Sequence, residues 1–190
     1  MEDSFDASSH ETNAPSLNEV LEMGPNLLPE VFAIPLRSRL HHIAIISDIT
    51  QAFLQLALDE NDRDLTRSFW YRITQDSEGH YHTTDEIMTY RFQRLPFGFA
   101  CSQFLLSATL REHADRHKFT FSTAAPLVES NMFKEDFAGG AENDNGAVTI
   151  YYELTALMKL INFPLEKWAS NSEQLKAIWR CQLVHRNYLH

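Results

Sequence analysis

The stretch Asn131–Gly140, NMFKEDFAGG, decides how the chain is read. An aromatic, a lysine, two adjacent carboxylates and two glycines lie between apolar segments. It is either an ordinary acidic turn or the tip of a hairpin whose carboxylates hold a metal ion. The choice turns on what the flanking segments bring to that tip.

Downstream, AVTIYYELTALMKLI (147–161) predicts a helix that Pro164 stops. Upstream, a strand is expected near Leu127–Phe133, running into the tip. SQFLLSATLREHADRHK (102–118) is the clearest helix, because Leu106, Leu110 and Ala114 recur at i, i+4 and i+8 on one face. TRSFWYRIT (66–74) and EIMTYRFQRL (86–95) are strand-like and predict a hairpin across the polar loop QDSEGHYHTTD. HHIAIIS (41–47), short, apolar and β-branched, predicts a buried strand, and TQAFLQLAL (50–58) a helix. In SLNEVLEMGPNLLPEVFAIPLRSRLH (16–41), short helices are expected, broken at Pro25, Pro29 and Pro35. The order strand, helix, hairpin, helix, strand, acidic turn, helix implies an α+β fold, an antiparallel sheet with helices packed on one face.

At 190 residues, 44% of them hydrophobic and 13 of them Phe, the chain can bury a core of one ordinary domain. Residues 1–16 read as an acidic, loosely attached leader, 17–172 as the domain, and 173–190 as a short helix or tail. The net charge is -10, but residues 1–30 hold seven acids and no Lys or Arg, so the body is nearly neutral. No basic stripe marks a strong stand-alone nucleic-acid binder. No apolar run approaches the roughly 20 residues that cross a bilayer, which argues against a membrane partner. The acidic start MEDSFDASSHETN is unlike a secretory signal. Cys101 and Cys181 suggest neither a disulfide framework nor a metal pair. The expected location is intracellular, cytoplasmic or nuclear, and not secreted.

Asp48 ends the predicted strand IAIIS, and Asp136 lies at the expected tip. If those strands are neighbours, their carboxylates converge. Convergent carboxylates hold Mg²⁺ ions roughly 3.5–4 Å apart in sites for phosphoryl or nucleotidyl transfer. An Asp after a strand also serves as a turn former or helix cap, so residue types and spacing leave both readings open. His113 and His117 form an i, i+4 pair, but HADRH lacks the Glu of a zinc protease motif. His80 and His82 flank Tyr81 in the hairpin loop and read as surface histidines.

Five segments in order resemble one family. They are FDAS followed by SLNEVLEMGPNLLPEV, ISDITQAFLQL, YRFQRLPFGFACSQFLLSATL, FKEDFAGG and NFPLEKWASNS. Together, from about Phe5 to Ser172, they resemble the central part of the reverse transcriptases of BEL/Pao retrotransposons. The resemblance implies a palm-like antiparallel sheet with partial fingers and no complete thumb. It implies template-directed deoxynucleotidyl transfer, with Mg²⁺ or Mn²⁺ as cofactor. RNA or DNA template–primer and a deoxynucleoside triphosphate are the implied partners, along with other parts of a retrotransposon polyprotein.

By the same resemblance, Asp48, Glu135 and Asp136 are the metal ligands, and Lys167 stands near the leaving pyrophosphate. Phe53, five residues after Asp48, would lie under the incoming sugar, where a ring excludes a 2′-hydroxyl. Its apolar neighbours Ala52, Leu54 and Leu56 suit a core position as well. Pro96, Phe97, Gly98 and Ser102 belong to the template-grip motif. Gly98 would allow close backbone approach, and Ser102 also suits a cap for the helix that follows.

The chain departs from the family pattern at the tip. Aligned on Tyr-Val-Asp-Asp, Phe133, Lys134 and Glu135 replace the first three residues, and only Asp136 is kept. Glu is one methylene longer than Asp, and a misplacement of about 1 Å can cost on the order of 100-fold in a positioned site. Lys134 would compete with Mg²⁺ if it points inward. Gln103 stands where the family has Pro, and Asn162 where it has Gly. The segment of the fingers that precedes FDAS, and a complete thumb, are expected to be missing. Activity is therefore expected to be weak or lost, and the alternative is a non-catalytic remnant or a co-opted nucleic-acid- or protein-binding module.

Overall fold

In chain order the elements are α1 (Leu17–Val20), α2 (Ala33–Ser38), β1 (Ile43–Ile49), α3 (Ala52–Gln55), β2 (Arg67–Gln75), β3 (Tyr81–Arg91), α4 (Ser102–His117), α5 (Ala124–Asn131), β4 (Met132–Phe133), β5 (Asp136–Ala141), α6 (Asp144–Lys159), β6 (Leu165–Ser170) and α7 (Glu173–Asn187). A single 3₁₀ turn, Arg63–Thr66, precedes β2. The structure, a computed structural model, describes residues 6–187, with side chains as far as residue 182. The first five residues of the expected leader and the last three of the expected tail lie outside the described residues. The chain is a mixed α+β fold with antiparallel sheets, and it divides into two compact units. One comprises Met1–Met23 and Phe53–Ser102, the other Gly24–Ala52 and Gln103–His190.

The second unit holds a four-stranded sheet in the order β4-β5-β1-β6, in which every neighbouring pair is antiparallel. Read along the chain, this unit runs strand, helices, strand, strand, helix, strand, the split βαβ arrangement. β1 is central because it alternates. Ile45, Ser47 and Ile49 are buried on one face, while Ile46 on the other is half exposed. The buried face continues on β5 through Phe137, Gly139 and Ala141, the partners of Ser47, Ile45 and Ile43. Helices α5 and α6 pack against β5, and α6 also against β1. The glycines answer the close packing of β5. A Cβ at Gly139 would meet the Phe137 ring at 2.7 Å, and one at Gly140 the Ile43 carbonyl oxygen at 2.5 Å.

The two predicted long helices form. In α4, Leu106, Leu110 and Ala114 are buried as the periodicity requires. In α6, Ala147, Ile150, Tyr151, Leu154, Leu157 and Met158 make one apolar stripe, and the Asn143 side chain caps the start by accepting from Gly146 N at 2.9 Å. Each fully buried aliphatic side chain here contributes about 1.5–3 kcal/mol. Ser172 immediately precedes helix α7, and its hydroxyl accepts from Leu175 N at 3.1 Å and donates to Asp144. Leu175 is fully buried, and Trp168, Trp179 and Tyr151 pack edge-on or tilted around one another. The expected tail is thus part of this unit's core as far as the described side chains extend.

Three expectations are corrected. The segment expected as a strand, Leu127–Phe133, is helix α5 to Asn131, and only Met132–Phe133 is strand. Pro126 sits in the first turn of α5, where a missing N–H costs nothing. Pro35 likewise lies in the first turn of α2 rather than breaking a helix. The helix expected over 50–58 is one turn, Ala52–Gln55.

In the first unit, β2 and β3 form a two-stranded sheet, so much of the expected loop is strand. Phe69, Trp70, Ile73, Tyr81 and Ile87 on it are at least half exposed. Ala7 is buried, its carbonyl accepts from Asn18 N at 3.0 Å, and Ser16 opens α1 in a capping box with Glu19. Next to β2, Thr66 is fully buried. Its hydroxyl donates to Arg63 O at 2.7 Å and accepts from Phe92 N at 2.8 Å.

Candidate carboxylate site

The tip is a two-residue hairpin. Phe133 pairs with Asp136, and Lys134 and Glu135 form the turn between them. Lys134 takes φ +57°, the positive value that two-residue hairpin turns demand at their first position. Its ammonium lies 6.0 Å over the Phe133 ring rather than on a carboxylate.

β1 brings Asp48 beside this tip. Asp48 is the direct cross-strand partner of Asp136 on β5. The end of β1 is held on both sides. Ile49 N donates to the Glu135 carbonyl at 2.9 Å and Thr50 N to the Pro164 carbonyl at 3.1 Å. On its other side Asp48 faces Glu166 of β6, so three carboxylates stand in a row across β5, β1 and β6. Glu166 was not anticipated from the sequence. Its place depends on how β6 registers against β1, which no local motif encodes.

Lys167 belongs to this group. Its ammonium donates to Asp48 Oδ2 at 2.6 Å. That hydrogen bond and the charge of Asp48, joined by Asp136 and Glu166, hold the Lys167 ammonium above the usual lysine value. Two buried acceptor atoms, Asp48 Oδ1 and Glu135 Oε2, have no hydrogen-bond partner. Among the described residues, no three His, Cys, Asp or Glu side chains stand together closely enough to hold a metal ion as placed.

The remaining expected residues belong to the first unit. Phe53 is buried, with its ring edge-on to Phe97 at 5.6 Å, and Phe97 is about half exposed. Gly98 takes φ +117°, a conformation open to glycine and strained for other residues. The Asn18 side chain clamps this loop, donating to Gly98 O at 2.9 Å and accepting from Ala100 N at 2.8 Å. Ser102 is the first residue of α4, and its hydroxyl donates to Pro96 O at 3.2 Å, tying the loop to the helix start. The Asn18 clamp was missed, although the Ser-x-x-Glu signature at 16–19 marks where it sits.

Of the histidines, His80 and His82 are exposed and lie against Asp76. His113 is buried. Its Nε2 is 2.8 Å from the Leu157 carbonyl, and burial holds its imidazole below the ordinary value. Among the described residues, no helix is long and apolar enough to cross a membrane. No protein-family model matches the chain, and no curated protein matches it.

Proposed function

We propose that this chain is a palm with part of the fingers, of the reverse transcriptase type borne by BEL/Pao retrotransposons, and that its polymerase activity is weak or lost. The observation that carries the reading is the pairing of Asp48 with Asp136 beside a two-residue FKED hairpin, in a split βαβ sheet. The five collinear segments named above support it independently.

Asp48, Asp136 and Glu135 would hold the Mg²⁺ or Mn²⁺ that such chemistry uses. Their oxygen-only donors suit a hard cation, and Asp48 Oδ1 and Glu135 Oε2 are acceptors without a partner. When bound, the ion would neutralise charge that develops during nucleotidyl transfer. The chain's own residues do the positioning. β1 and β5 fix the two aspartates, and the Asn18-clamped loop at Pro96–Gly98 presents backbone and the Phe97 ring to a nucleic-acid partner.

Primer extension on an RNA template with Mg²⁺ or Mn²⁺ tests the reading. Wild type is expected to extend poorly, the Lys134→Val/Glu135→Asp double variant better, and Asp48→Ala in that background not at all. Robust extension by wild type that Asp48→Ala abolishes would overturn the loss of activity. Failure of both, with no retention of primer–template in a mobility-shift assay, would overturn the polymerase reading. A second reading, a non-catalytic binding module of this ancestry, is favoured by the Lys167–Asp48 pair, because a cation already sits on the central carboxylate. Retention of primer–template without extension in any variant would select it.

A further inference from the structure

Direct cross-strand partners project from the same face of a sheet, and like charges in such positions destabilise it. Asp48 has two such neighbours, Asp136 and Glu166. A row of this kind needs a cation, and the chain supplies its own. Between Ile46 and Asp48 of β1, β6 carries one residue more than its partner strand. Lys167 lies in that bulge at φ +51°. Regular alternation would send Lys167 to the face opposite Glu166. A bulge re-aims a side chain, and here it delivers the ammonium to Asp48 Oδ2 at 2.6 Å. A left-handed conformation at a non-glycine residue points to a role that holds it there.

We propose that Lys167 is a built-in counter-cation that closes this site. Its ammonium occupies Asp48 and keeps divalent ions off the carboxylate row, and it swings away when a divalent ion is taken up. The proposal rests on the reading of Asp48, Glu135 and Asp136 as cation ligands. The two partners differ in the way such a gate requires. The Lys167 side chain is 78% exposed and free to leave, whereas that of Asp48 is 18% exposed and fixed in the central strand. Lys134, the lysine of the tip itself, lies over Phe133 and leaves this role to Lys167.

The test is Mn²⁺ uptake by the whole chain, followed by the paramagnetic resonance of the free ion, with no polymerase assay involved. Wild type is compared with K167M, K167Q, K167R and D48A, and near-ultraviolet circular dichroism confirms folding. K167M and K167Q are expected to bind Mn²⁺ about five-fold more tightly than wild type, since exposed charge pairs compete at about that level. K167R keeps the charge and is expected to match wild type, and D48A to bind most weakly. Equal affinity in wild type, K167M and K167Q, lost in D48A, overturns the counter-cation role and leaves the cation-site reading standing. No uptake by any variant overturns both.

Discussion

Replacing Gly140 by Ala tests the strand pairing on which the site depends. The added methyl would stand 2.5 Å from the Ile43 carbonyl oxygen and 2.8 Å from His41 Cβ. Ordinary contact needs about 1 Å more, and the first obstacle is backbone of β1, which no rotamer change can move. Overpacking of this kind costs about 1–3 kcal/mol. The loss of glycine freedom in the unfolded chain returns about 0.4–1 kcal/mol. The net expectation is a destabilisation of about 1–2 kcal/mol, which lowers Tm by roughly 2–8 °C in a chain of this size. Urea unfolding followed by circular dichroism reads it as a lower midpoint with an unchanged slope. Gly146→Ala is the control. It lies in the first turn of α6, where the methyl meets the Ala141 side chain at 3.3 Å and Asn143 Oδ1 at 3.6 Å. Helix propensity should make it neutral or stabilising, by up to about 1 kcal/mol. A Gly140→Ala protein as stable as wild type would refute the β1–β5 register, and with it the placement of Asp136 opposite Asp48.

Other perturbations separate the contributions of single side chains. Leu175→Ala should cost about 2–5 kcal/mol by leaving a cavity under α7, while Lys176→Ala stays near neutral, both read by urea midpoint. Asn131→Ala removes the amide that donates to the Ala138 carbonyl at 2.7 Å across the hairpin, and should cost about 1–3 kcal/mol. For His113 the folded pKa lies below the unfolded one, near 6.5. The unfolded chain then takes up a proton first, so this residue's contribution is complete above about pH 6.5 and is lost as the pH falls below it. Wild type should lose stability between pH 7.5 and 5.5 by more than His113→Gln does, and parallel losses would contradict the assignment.

The parts of this fold written in local periodicity were legible. Helices α4 and α6 repeat apolar residues on one face over two to three turns, and β1 is a β-branched run. What failed was short or non-local. The Leu-Val pair of α5 beside Pro126 looks like strand, because one turn of helix and three residues of strand carry the same apolar signal. Asp48 and Asp136 were named from sequence, and their pairing depended on adjacency that only the sheet supplies. Glu166 escaped because a bulge one residue long decides what it faces. The contact of Lys167 with Asp48 rests on the same bulge.

The start of α5 is held by a residue of α6. Thr123 makes no side-chain cap for α5. The N–H groups of Thr123 and Ala124 both donate instead to the Glu153 carboxylate, at 2.9 and 3.0 Å, about thirty residues later in the chain. An eight-residue helix has little stability in water by itself, and this one borrows its start from α6. The FKED hairpin hangs directly from its end. The expected order is therefore that α5 gains its stability once α6 docks, and the hairpin that sets Asp136 beside Asp48 is secured only after Glu153 is in place.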